Sequence, residues 1–175
     1  MRIGRLLGAL ALLAVLIPGP TAQGDDEVHC SNVHELTLSP GLSIQPTAGT
    51  FKEVSGQMDC RGMINGRTPT GPGSYSDSGR YGTTDPDTCQ NGGEGDGVFS
   101  STIPTNDGTM VLTGPYTYTY GDYSANPGYV SGKFSGNGVH GTFKVRPLEG
   151  DCITKPITRV HVDAEFFFAR SFTTR

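Results

Sequence analysis

Residues 129–147 read YVSGKFSGNGVHGTFKVRP, and this stretch decides the fold. Asn137-Gly138 offers the two positive-φ residues of a type I′ turn, so the segments on either side pair as a hairpin. Counting outward from that turn sets the register: Gly136 faces Val139, Phe134 faces Gly141, Gly132 faces Phe143 and Val130 faces Val145. Each Phe then covers a Gly of the neighbouring strand, a pairing that lets a sheet bend sharply without leaving a void. Ser131, Lys133 and Ser135 fall on the opposite face with His140, Thr142, Lys144 and Arg146, so one face is core and the other is wet.

The same counting applies around Asp107-Gly108. A two-residue loop there sets Ile103 opposite Leu112, Ser101 opposite Gly114 and Phe99 opposite Tyr116. Towards the end of the chain Val160, Val162, Ala164, Phe166 and Phe168 alternate with Arg159, His161, Asp163, Glu165 and Phe167. Strand-like runs of this kind recur near 34–39, 50–60, 73–81, 95–103, 109–120, 129–136, 139–147 and 157–168, and no amphipathic helix interrupts them. Glycine, at 26 of 175 residues, and 12 prolines further disfavour helix. The expected fold is all-β and antiparallel, a closed or nearly closed barrel of eight strands, because glycine kinks are how a sheet curls onto itself. A β-sandwich is the alternative.

Arg2 and Arg5 precede an apolar run from Leu6 to Ile17, followed by Pro18-Gly19-Pro20 and small residues. This is the pattern of a signal peptide. It is too short for a membrane helix, which takes about 20 apolar residues, and no later run is long enough. Cleavage between Ala22 and Gly24 assigns residues 1–23 to the leader and 24–175 to a single domain. The mature part then carries 11 basic against 17 acidic residues, a net charge of −6, which disfavours nucleic acid as a partner. The expected location is extracellular or cell-envelope associated.

In an exported chain Cys30, Cys60, Cys89 and Cys152 read as two disulfides. No closely spaced pair suggests zinc. The expected pairing is Cys60–Cys89 with Cys30–Cys152, the second joining the first strand to the last.

Three clusters carry candidate chemistry. Tyr116, Tyr118 and Tyr120 share one strand face, and their flat rings with hydroxyl handles suit a sugar-like or apolar ring ligand. The competing reading, which the register favours, makes them barrel core and rim. Asp85, Asp87, Glu94 and Asp96 lie on a glycine-rich loop without Lys or Arg, as oxygen ligands for calcium would, although the spacing fits no calcium signature and a solvated loop pinned by Cys89 is the simpler reading. His161, Asp163 and Glu165 share a face with Arg159 and Phe167, which suggests paired surface charges. His34 has the parity of Leu36 and Leu38, so it points inward and needs a partner there. No nucleophile elbow, phosphate loop, dinucleotide fingerprint or zinc-protease helix motif occurs, so no catalytic residue and no cofactor is assigned.

Several stretches resemble a group of uncharacterised secreted proteins of actinobacteria: LSPGL at 38–42, GPGSY at 71–75, DPDTC at 85–89, GEGDG at 93–97 and LEGDCITKPITRV at 148–160. These are turn and cysteine positions, so the resemblance implies fold and export and no activity. The resulting expectation is a non-enzymatic secreted barrel that binds a small apolar or sugar-like molecule, a glycan or a surface protein. The alternative is a cyclase, isomerase or hydrolase working inside the barrel, which requires at least two titratable side chains converging in one pocket.

Overall fold

Alternation of apolar and polar residues produces eight strands: β1 (Glu27–Leu42), β2 (Gly49–Arg61), β3 (Gly73–Tyr81), β4 (Gly93–Thr105), β5 (Gly108–Tyr120), β6 (Val130–Gly136), β7 (Val139–Glu149) and β8 (Ile157–Ala169). A computed structural model describes residues 27–121, 130–136 and 138–169. The expected leader, residues 1–23, lies outside them, as do Tyr129 and Asn137. Every strand pairs antiparallel with its sequence neighbours, and β1 pairs with β8, so the sheet closes in a ring. Closure is uneven. The β5–β6 ladder runs only from Thr117 to Tyr120, and the β2–β3 ladder breaks between Lys52 and Gln57, so the barrel is nearly closed rather than regular.

The hairpin at Gly138 has the register expected from its sequence, from Gly136↔Val139 to Val130↔Val145. The β4–β5 hairpin does not. Its turn is Asn106-Asp107, with Thr105 opposite Gly108, so Ile103 faces Met110, Ser101 faces Leu112 and Phe99 faces Gly114, two residues from the expected partners. A type I′ turn through Asp107-Gly108 needs positive φ at both residues, and of these only Gly108 adopts it, at 127°. The Thr105 hydroxyl also donates to Asp107 Oδ1 at 2.9 Å within the observed turn. A shift of two preserves parity, so the apolar face still points inward.

The aromatic-over-glycine pairing recurs around the ring. Across β2–β3, Tyr81 lies opposite Gly49 and Phe51 opposite Gly79; across β4–β5, Tyr116 lies opposite Gly97 and Tyr118 opposite Gly95. With Phe143 on Gly132 and Phe134 on Gly141, each ring occupies the space where a Cβ at the facing Gly would stand, within 2.7 Å of ring atoms in every case. These rings therefore lie along the wall rather than across the axis.

The cysteines pair differently from expectation: the bridges are Cys30–Cys60 and Cys89–Cys152. Cys30 and Cys60 are direct cross-strand partners, with Cα atoms 4.0 Å apart. They sit where β1 begins and β2 ends, whereas Cys89 and Cys152 belong to the β3–β4 and β7–β8 loops at the other end of the barrel. The expected pairing would have had to join opposite ends. In a ring of eight strands those two loops stand across from one another, so the second bridge forms a strap over the mouth. Backbone hydrogen bonds from Asp87 to Thr47 and from Cys89 N–H to Ser43 add the β1–β2 loop to that strap.

Candidate functional site

The inward positions divide the barrel lengthwise. Towards the Cys30–Cys60 end, Met58, Phe99, Ile103, Met110, Leu112 and Phe168 are fully buried and fill the axis. Towards the strapped end the interior holds a cavity of about 130 Å³, walled by Leu36, Leu38, Phe51, Tyr118, Val145, Val160 and other apolar or aromatic side chains. Leu36, Leu38, Tyr120, Phe143 and Val145 are only part-buried, so the cavity opens towards the mouth.

Where plug and cavity meet, the core turns polar. His34 of β1 and Asp77 of β3 both line the cavity and are buried, at 4 % and 7 % exposure. The Tyr116 hydroxyl lies 2.8 Å and 2.7 Å from the two oxygens of Asp77, and Tyr75 hydrogen-bonds the same carboxyl. Burial pushes Asp77 up to about 7, while the Tyr116 and Tyr75 hydroxyls and the Ser78 N–H act against that rise. Asn32 Nδ2 donates to the Gln57 carbonyl at 3.0 Å, which turns Asn32 Oδ1 towards His34 Nδ1. His34 therefore carries its proton on Nδ1 and presents the Nε2 lone pair to Asp77, 4.0 Å from Oδ2. Burial, with the charge of His161 in the same direction, pulls His34 down to about 3, so the imidazole is neutral.

Glu53 completes the group through an irregularity of the sheet. Glu35 pairs with Ser55 and Leu36 with Glu53, leaving Val54 as an extra, outward residue. Glu53 shares the inward facing of Phe51, and the bulge reverses the facing beyond it, so that Met58, of opposite sequence parity, is inward as well. Its carboxylate accepts the Asp77 backbone N–H that the broken β2–β3 ladder leaves free, and Oε2 is buried without a partner. Burial and the neighbouring charge of Asp77 push Glu53 up to about 7.

The tyrosine row lines the cavity as expected from strand parity, with Tyr118 against Tyr116 and Tyr120 at ring-centroid distances of 6.2 Å. Its hydroxyls are engaged within the protein: Tyr116 with Asp77, Tyr118 donating to the Arg80 carbonyl at 3.0 Å, and Tyr120 donating to Asp87 Oδ2 at 2.8 Å. The row supplies ring faces rather than free hydroxyl handles.

The four loop acids do not converge, which corrects their reading as a calcium set. Asp85 is exposed, Asp87 is buried on Tyr120 and the Gly82 N–H, and Asp96 pairs with Arg80. Among the described residues no group of three His, Cys, Asp or Glu side chains could hold a metal ion. His161 and Asp163 lie on the outer face 3.3 Å apart, Glu165 pairs instead with His29, and Arg159 bonds Glu35 and Glu149. His34 is inward and partnered, as its parity implies.

Asp77, Glu53 and Tyr75 escaped the sequence reading. For Asp77 the signal exists: it shares parity with Tyr75 and Tyr81, so a carboxylate stands on an inward face. For Glu53 the signal is its parity with Phe51, which the opposite parity of Met58 obscures, because that conflict demands a bulge without placing it. Among the described residues no helix is long and apolar enough to cross a membrane. No family model matches the chain, and no curated protein or solved structure does.

Proposed function

We propose that this chain is an exported barrel, akin to secreted proteins of actinobacteria, that takes a compact apolar molecule bearing one polar group into its interior. The cavity carries this reading: about 130 Å³ of apolar and aromatic wall with a single polar end at Asp77 and His34. An apolar protein cavity of roughly 150 Å³ holds benzene, so a single ring with one hydroxyl or carbonyl is the scale of ligand that fits. A sugar suits it poorly. Most of its hydroxyls would meet Leu, Val and Phe side chains, and burying a polar group without a partner costs about 1–3 kcal/mol. The two disulfides are compatible with the oxidising compartment that the leader implies.

Thermal melts of the oxidised chain test the reading. Cyclohexanol or phenol is expected to raise the melting temperature, since a ligand at 100 times its Kd stabilises the native state by about 2.7 kcal/mol. Glucose is expected to leave it unchanged. A shift with glucose, or none with any ring alcohol, would sink the proposal. N-terminal sequencing of the exported protein checks the leader, with a new terminus expected between Ala22 and Gly24.

A further inference from the structure

Among the described residues lining the cavity there is no Lys for Schiff-base chemistry and no Ser, Thr or Cys. What the wall does offer is one carboxyl, one neutral imidazole and tyrosine hydroxyls, and these suit the movement of protons. Asp77 is held from several strands. Tyr116 of β5 and Tyr75 of β3 hydrogen-bond its oxygens, His34 Nε2 of β1 faces it at 4.0 Å, and Glu53 of β2 accepts its backbone N–H. Tyr118 lies one ring beyond Tyr116, and His161 of β8 acts on His34 from the outer face. Two hydroxyl donors fix the carboxyl's orientation, and the apolar wall keeps bulk water from competing for a bound substrate's proton.

Resting on the ligand-binding reading above, we propose that Asp77 is a catalytic general base for isomerisation, acting on a small apolar β,γ-unsaturated ketone that has a hydrogen on the carbon between its carbonyl and its C=C bond. In the first step an Asp77 oxygen forms an O–H bond as the substrate C–H bond breaks. The C–H electron pair becomes a C=C bond, and the carbonyl pair moves onto oxygen as an enolate. A protonated Asp77 needs one donor fewer, so the Tyr75 or Tyr116 hydroxyl is released to hydrogen-bond the enolate oxygen where charge has developed. His34 Nε2 faces the protonated carboxyl with its lone pair, 4.0 Å from Oδ2. The C=C bond already present in the substrate conjugates with the enolate, and in the second step the Asp77 O–H breaks as its proton goes to the far (γ) carbon of that dienolate. The dienolate pair forms the new C–H bond, the C=C bond shifts next to the carbonyl, and the carbonyl re-forms. The sequence is redox-neutral and consumes no co-reactant.

Burial raises Asp77 to about 7 against the pull of its hydroxyl donors, so the carboxylate is available near neutral pH and basic enough to be useful. Burial, and with it the charge of Asp77, in turn pushes Glu53 up.

Deuterium exchange into cyclohexanone, followed by NMR with the full oxidised chain in D₂O against matched buffer, tests the proposal. The protein is expected to accelerate exchange at the carbons beside the carbonyl, with a rate that rises with pH through about 7 and then levels. Asp77→Asn is expected to lose about 100-fold or more of that rate while still binding cyclohexanone, which ligand-observed NMR reads separately. Tyr116→Phe keeps the ring over Gly97 and removes one donor to the carboxylate, so the midpoint of its pH profile is expected to move upward. This variant carries the test if Asp77→Asn fails to fold. Binding without accelerated exchange, exchange unaffected by Asp77→Asn, or an unmoved midpoint in Tyr116→Phe would overturn the base and leave the binding reading standing. Absence of binding by both cyclohexanone and cyclohexanol would overturn both.

Discussion

Phe99, Ile103, Met110, Leu112 and Phe168 fill one half of the barrel axis, whereas the other half, among Leu38, Tyr118 and Val160, encloses about 130 Å³. Both halves are built from strands with the same alternation, and the difference lies in where the large side chains rest. In the hollow half Phe51, Tyr81, Tyr116, Tyr118 and Phe143 lie over glycines of the next strand, so their bulk lines the wall and the centre stays open. In the filled half, Ile103 faces Met110 and Val139 faces Phe168, and the Phe99 and Phe168 rings, both fully buried, meet with centroids 6.0 Å apart. A ring lying over its facing glycine thus keeps to the wall, although a facing glycine alone does not hollow the barrel, since Phe99 stands opposite Gly114 in the filled half. The buried polar group sits at the boundary, where an apolar ligand in the hollow half would reach it.

Truncation should separate the halves most sharply. Phe99→Ala and Phe168→Ala remove fully buried rings and are expected to cost about 3–5 kcal/mol each in denaturant melts. Leu38→Ala, on a part-buried side chain already bordering the cavity, is expected to cost less than about 2 kcal/mol. Equal losses would show that the hollow half is filled in solution.

The disulfides sharpen the same contrast. Loss of either bridge is expected to cost about 2–4 kcal/mol, and Cys89–Cys152, which closes 63 residues against 30, should cost roughly 0.7 kcal/mol more in the chain-entropy account. Replacing Cys89 and Cys152 by Ser should also speed entry of cyclohexanol in stopped-flow or NMR exchange measurements, because that bridge straps the mouth. The Cys30/Cys60 pair of replacements should leave entry unchanged.

At the boundary, pH dependence reads the buried charges. Burial raises Asp77 to about 7, so the folded chain holds this proton more tightly than the unfolded chain does. The stability this contributes is full below the ordinary carboxyl range and is lost as pH rises through about 7. His34, lowered by burial to about 3, acts the other way: its contribution is present above 6.5 and is lost as pH falls towards 3. Relative to Asp77→Asn, the wild-type protein should therefore lose about 2–4 kcal/mol between pH 4 and pH 7, measured by denaturant melts across that range. A parallel dependence in both proteins would mean that Asp77 is not buried as described. The smallest effect belongs to the outer face: Lys144→Ala, exposed on β7, should change stability by less than about 0.5 kcal/mol.

Strand existence and facing were legible in the residues themselves, since the buried set of β8 (Val160, Val162, Ala164, Phe166, Phe168) is the one its alternation specifies. β1 was legible only from residue 34, because its earlier inward positions include Asn32 and end in His34, which interrupt an apolar pattern although both are buried. Parity puts the tyrosines on one inward face, where barrel core and rim is the favoured reading; that this face borders a cavity comes from the structure. Their hydrogen-bond partners were not legible, because Asp77, the Arg80 carbonyl and Asp87 reach them from β3 and from the loop that follows it.

What the chain alone determined is therefore period-two alternation, the Gly138 turn and the register it imposes on Phe134 and Phe143; the β4–β5 register and the Cys30–Cys60 pair, although each lies within one hairpin, were not read from it. The Cys89–Cys152 bridge, the placement of the four acids and the polar boundary were decided only by closure of the ring. Closure brings the β3–β4 loop to the β7–β8 loop and sets β1, β2, β3 and β5 around one carboxyl. The Val54 bulge adds a change of facing that no counting from a turn can locate. A bulge costs one residue of register and is invisible in composition, yet it reverses which side of the wall every residue beyond it faces: here it brings Met58 inward, and the break in the β2–β3 ladder beside it leaves the Asp77 N–H to the Glu53 carboxylate.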